Sequence, residues 1–168
     1  FWLVVIAASL CVVAAAGVAV LALRLDQAEL AIVSAFFYAA SVLPLVHGLT
    51  VPGVLYGENP ATMTAVFLAI PVGGWAAFVV GRSAGPGRPP AQWRIALLAT
   101  AAVVTGLALV LLAAPQIALH PDPGSPAAVG YALGAFGLAG WLGLRHVRLA
   151  VIAERFAPMV VALGYVLL

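Results

Sequence analysis

The sequence predicts an all-α fold, a polytopic membrane helix bundle with about six transmembrane helices. Three observations carry that reading. The 168 residues are 65% hydrophobic and 7% charged, whereas a soluble globular domain carries about 25% charged residues. A chain this short has too much surface for its volume to hide that much apolar side chain in one core, so lipid must solvate much of it. Finally, apolar runs of roughly 20 residues, long enough to cross a hydrocarbon core about 30 Å thick, recur between short polar or Pro/Gly-rich turns.

Span one covers 2–23 and ends at the polar turn that holds Arg24, Asp26, Gln27 and Glu29. Span two covers 30–49, and the turn at 50–60 contains Pro52, Gly53, Gly57 and Pro60, which make a poor helix. Span three covers 61–80. The clearest linker follows, Gly81-Arg82-Ser83-Ala84-Gly85-Pro86-Gly87-Arg88-Pro89-Pro90. Span four covers 93–114 and leads into a second broken loop with His120-Pro121-Asp122-Pro123-Gly124. Span five covers 127–144 and is closed by Arg145-His146-Val147-Arg148. The last span covers 149–168, with Glu154 and Arg155 at the headgroups, because burying either at the midplane is costly. Together these form a single transmembrane domain over 1–168.

The arginines orient this bundle. All seven basic residues are Arg. Arg24, Arg82, Arg88, Arg94, Arg145, Arg148 and Arg155 fall on one side when the spans alternate, and the turns at 50–60 and 115–126 hold none. Short cytoplasmic loops carry excess basic charge. The Arg-rich turns are therefore expected in the cytoplasm, with the amino end and the two Pro-rich loops outside. No Lys/Arg run resembles a nucleic-acid footprint. Cys11, the sole cysteine, lies in an apolar span and cannot form an internal disulfide. The first 23 residues are too long for a signal-peptide core and lack a basic leader. With no initiator Met and apolar residues at both edges, the chain is expected to be a fragment of a longer one. Six spans leave the carboxyl end outside, so a cytoplasmic domain would need a seventh.

Helices in lipid associate through close packing of small residues. In span five, Gly130, Gly134, Gly137 and Gly140 lie within roughly 120° of one face at 3.6 residues per turn. They suit a homodimer seam, a contact with another membrane subunit, or packing against a neighbouring span. Pro44, and Pro71 with Gly73-Gly74, should kink or loosen spans two and three. Trp2 and Trp93 sit where interfacial anchors belong, and Trp75 and Trp141 read as packing residues.

Chemistry is sparse. The acids Asp26, Glu29, Glu58, Asp122 and Glu154 all avoid the span centres, which takes weight from ion-coupled transport. No nucleophile elbow, Walker loop or H-E-x-x-H helix is present, so no catalytic residue is assigned and the segment is not expected to be an enzyme. His47 and His120 fall on the outer side with Glu58 and Asp122. Two imidazoles and two carboxylates could hold a metal, and two imidazoles could ligate a haem. The four come from separate loops without tight spacing, so the preferred reading is an interfacial His47 and an exposed loop His120. His146, among arginines, reads as a headgroup contact.

The segment 36–55 runs from the aromatic Phe36-Phe37-Tyr38 through Pro44 to His47-Gly48-Leu49-Thr50-Val51-Pro52-Gly53. It resembles multi-spanning sensor regions of bacterial signalling proteins. In those, an aromatic-rich helix ends in a His-Gly/Ala-Leu segment followed by Thr and Pro-Gly at the outer surface. Such regions precede cytoplasmic nucleotide cyclase, diguanylate cyclase, phosphodiesterase or histidine kinase domains, mostly in high-GC bacteria. The Ala, Gly, Val and Arg bias without Lys agrees with a high-GC genome. The resemblance marks His47, Thr50, Pro52 and Gly53 as the sensing end; Pro44, three residues before His47, departs from the pattern. It implies a sensory or anchoring domain that passes an extracytoplasmic or membrane signal to a cytoplasmic output. The alternatives are a non-catalytic subunit or scaffold of a membrane complex, and a segment of a small-solute transporter.

Overall fold

A computed structural model describes residues 2–54, 60–85, 87–114, 122 and 124–153. Five helices follow in order: α1 (Trp2–Leu25), α2 (Ala28–Thr50), α3 (Ala61–Ser83), α4 (Pro90–Ala113) and α5 (Pro126–Ala153). Each contains a stretch long and apolar enough to cross a membrane. The chain divides into two compact units, Phe1–His120 and Pro121–Leu168.

Helix ends follow backbone chemistry rather than charge. α3 runs past the expected boundary at 80, through Arg82, to Ser83, just short of Gly85. α5 does the same on a larger scale. The expected turn at 145–148 is absent, and the helix continues through Arg145, His146 and Arg148 to Ala153. Residues 145–153 contain neither Gly nor Pro, so nothing local breaks the helix where its polarity changes. The remainder of the expected sixth span, 154–168, lies outside the described residues. Pro44 and Pro71 sit inside continuous α2 and α3.

The caps are specific. α1 ends with Asp26 in the left-handed region at φ 52°, and the Gln27 N–H donates to the Ala22 carbonyl at 3.0 Å. This six-to-one bond is the Schellman arrangement, with Asp where Gly is usual. α4 begins with Pro90 in its first turn, where a missing N–H costs nothing. Ser125 caps α5, its hydroxyl oxygen accepting from the Ala128 N–H at 3.1 Å.

α2 is the hub of the first unit, packing against α1, α3 and α4, and α3 also packs on α4. α1 lies on α2 through Ala8, Ala15 and Ala22, which are buried at seven-residue spacing. The Ser34 hydroxyl donates to the Ala15 carbonyl across that seam at 2.9 Å. Gly48 lets α1 approach, since a Cβ there would lie 2.8 Å from a Val5 methyl. Gly73 does the same for α3, where a Cβ would lie 3.1 Å from the Phe36 carbonyl oxygen and 3.3 Å from its ring. On α4, Trp93, Ala96, Leu97, Thr100, Val104, Ala108 and Leu111 form a buried stripe at helical spacing. Trp93 thus belongs to the core rather than facing the interface, while Trp75 and Trp141, expected to pack, are 44% and 46% exposed.

In the second unit, Ala135, Ala139, Leu142 and His146 are buried. Gly130, Gly134, Gly137 and Gly140 are exposed, and a Cβ on any of them would meet nothing within 4 Å among the described residues.

Candidate functional site at the α2–α3 corner

The residues marked as a sensing end come together where α2 hands over to α3, and they divide into those that build the corner and one that offers chemistry. Thr50 is fully buried at the last position of α2. Its hydroxyl donates back to the Val46 carbonyl one turn earlier at 2.8 Å, which pairs the buried hydroxyl within its own helix. The chain then turns through Val51-Pro52-Gly53-Val54, closed by the Val54 N–H on the Val51 carbonyl at 3.1 Å. Pro52 sits second in this turn and Gly53 third, with φ +87°, the Pro-Gly pattern of a type II turn. Only glycine adopts that φ without strain. Thr50, Pro52 and Gly53 are thereby accounted for as local architecture.

Thr62, in the first turn of α3, ties the two helices together. Its hydroxyl donates to the Thr50 carbonyl at 2.8 Å and lies 3.1 Å from the Thr50 hydroxyl. Its own backbone carbonyl lies 3.0 Å from His47 Nδ1. A carbonyl oxygen can only accept, so His47 Nδ1 carries the proton. In the neutral ring Nε2 is then the atom with the free lone pair. Backbone anchoring at one nitrogen with the lone pair on the other is the usual posture of an imidazole that binds a ligand or metal. The His47 side chain is half-buried.

The wider outer-side set is not assembled on the described residues. Glu58 and His120 lie outside them. Asp122 belongs to the second unit and is exposed, its backbone carbonyl accepting from the Ser125 N–H at 3.1 Å. Among the described residues no three His, Cys, Asp or Glu gather as a metal site. His146 departs from expectation. It is 2% exposed, and its Nδ1 donates to the Leu142 carbonyl one turn earlier at 3.0 Å. It is a core histidine, carried inside by the continuation of α5, rather than a headgroup contact.

Sequence reasoning missed two features. Thr62 gives no signal of its own, because a backbone carbonyl partner has no side-chain signature. The Arg94 guanidinium meets the Asp26 carboxylate at 3.1 Å, joining the start of α4 to the α1–α2 turn. The signal for that pair was an arginine just inside an apolar run with an acid in a turn on the same side. The chain matches no protein-family model, no curated protein and no solved structure.

Proposed function

We propose that this chain is a membrane-embedded sensory or anchoring domain, with the α2–α3 corner outside and the Arg-bearing turns in the cytoplasm of a bacterial inner membrane. The observation that supports it best is the His47 Nδ1 bond to the Thr62 carbonyl. It makes one side chain both a link between two helices and the holder of an available lone pair. A hydrogen-bond donor or metal ion taken by Nε2 would act on the ring. The ring acts on the first turn of α3, and α2 carries any displacement to α1 and α4, against which it packs. Packed helices with two discrete arrangements are what such switching requires. The signalling role itself rests on resemblance and on the side preference of arginine.

His47→Asn separates linkage from sensing, because an amide N–H reproduces the Nδ1 donor and removes the ligand nitrogen. In the full natural polypeptide, this variant should unfold in detergent at the same point as the parent, while the response of its cytoplasmic output is lost. A retained response would reduce His47 to a structural link. Before that, an intact mass close to 17.1 kDa for the natural polypeptide would remove the signalling reading.

A second reading, a subunit or scaffold in a membrane complex, is favoured by the open glycine face of α5. A Gly134→Leu change should then abolish co-purification with partner chains; normal assembly would count against it.

A further inference from the structure

A second feature lies at the opposite end of the first unit from the His47 corner. Between α1, α2 and α4 runs a cavity of about 230 Å³, lined by Ala16, Leu23, Tyr38, Leu98 and Ala101 among others. The α1 residues lining it, from Ala16 to Leu23, span roughly 10 Å along the helix axis. Its few hydroxyls are occupied. Ser34 donates to the Ala15 carbonyl, and Thr100 donates to the Ala96 carbonyl at 2.8 Å. The wall therefore offers an occupant apolar contact and no polar anchor. Leu98 is 61% exposed, so the cavity opens sideways rather than into the core.

Two polar links frame it. At one end Tyr38 Oη and Thr105 Oγ1 lie 2.9 Å apart, joining α2 to α4. At the other end Arg94 reaches Asp26. Arg94 precedes Leu98 and Ala101 by four and seven residues, on the same face of α4, and Asp26 follows Leu23 just beyond α1. The Arg94 guanidinium is also held 5.6 Å from the centre of the Trp93 ring. Its Nε is buried and has no hydrogen-bond partner among the described residues. Arg24, on the last turn of α1, adds a second positive charge at this end. Asp26 and Glu29 supply the carboxylates at this end and Arg24 and Arg94 the guanidiniums; the Arg94 side chain, paired to Asp26 through one nitrogen, remains 43% exposed.

We propose that this groove is an anionic phospholipid site, with one acyl chain lying along the cavity and the headgroup phosphate on Arg94. Apolar lining takes the chain without cost to any polar group. The guanidinium suits phosphate, which accepts several N–H bonds at once. The site places a lipid between α1 and α4 against α2, so lipid composition would bear on the helix that links to the His47 corner.

The test uses the intact chain in vesicles of mixed phosphatidylglycerol and phosphatidylcholine, extracted and examined for retained lipid by native mass spectrometry. The parent should retain phosphatidylglycerol in preference. Arg94→Gln should lower that preference about fivefold, as expected for one basic residue near an anionic surface. Arg88→Gln, on the exposed linker at the same end, should leave it unchanged. Ala16→Phe fills the groove from an exposed position and so spares the core; it should remove retention of both lipids. Equal losses from Arg94→Gln and Arg88→Gln would show a diffuse charge effect and overturn the headgroup assignment. Undiminished retention in Ala16→Phe would overturn the groove.

Discussion

Helices α1 and α2 lie side by side, and the more apolar of the two is the less buried. The best window of α1 has a mean hydropathy of 2.7 and is 11% buried; that of α2 has 1.9 and is 56% buried. α4 and α3 fall between them in the same inverse order. In water this would be inside out. Between helices that cross lipid, apolar side chains gain little by leaving the hydrocarbon, so contacts go to small residues and to groups that hydrogen-bond. α2 supplies both, with Ser34 bonded to α1, His47 bonded to α3, and Gly48 allowing close approach. α1 offers mainly three alanines and leaves Leu3, Leu10 and Val13 outward.

If packing rather than hydropathy holds the bundle, identical residues in packed and open places should respond differently. The largest contrast is between two tryptophans. Trp93→Ala empties a buried site and should cost about 3 kcal/mol. Trp75→Ala, at a half-exposed position, should stay within about 0.5 kcal/mol. Detergent-induced unfolding followed by helix content measures both, and equal losses would break the comparison. The next contrast concerns glycine. Gly73→Ala drives a methyl to 3.1 Å from the Phe36 carbonyl oxygen, and should cost about 1–3 kcal/mol as overpacking. Gly17 on α1 has nothing within 4 Å among the described residues, so Gly17→Ala should be neutral or stabilising by up to about 1 kcal/mol, because alanine is the better helix former. The same substitution therefore changes sign between the face of α3 that packs on the hub and an open face of α1.

The sequence made the spans legible because length and charge are one-dimensional signals. The starts and ends of α1 to α4 fall within three residues of the positions read from it. The end of α5 was illegible for a definable reason: arginines mark where lipid ends, whereas helices end at glycine, proline or a cap, and 145–153 supplies none. Which face turns inward was also hidden. With nearly every face apolar, Trp93 and Trp75 look alike in sequence, and only the three-dimensional stripe on α4 separates them. At the candidate site, Pro52 and Gly53 announced a turn and His47 announced chemistry. The partner that fixes the imidazole, the Thr62 carbonyl, is backbone and carries no signature.

The smallest effect tests the joint between the two compared helices. Asp26 combines a costly backbone with a useful charge. Its φ of 52° disfavours any L-residue by about 1 kcal/mol, less for Asp than for most. Its partner Arg94 forms an ion pair in which the side chains are 43% and 49% exposed, so the pair contributes at most a few tenths of a kcal/mol. Asp26→Gly removes the strain and the pair together and should leave stability unchanged or slightly raised. Asp26→Asn keeps an αL-tolerant side chain and loses only charge, so it should lie just below the parent. Asp26→Ala keeps the strain and loses the pair, and should fall about 1 kcal/mol below Asp26→Gly. That order makes backbone conformation the controlling term at the α1–α2 turn. If instead Gly, Asn and Ala all fell equally, the ion pair would be the controlling term, and α1 would be held to the bundle at its end by charge rather than along its length by alanine.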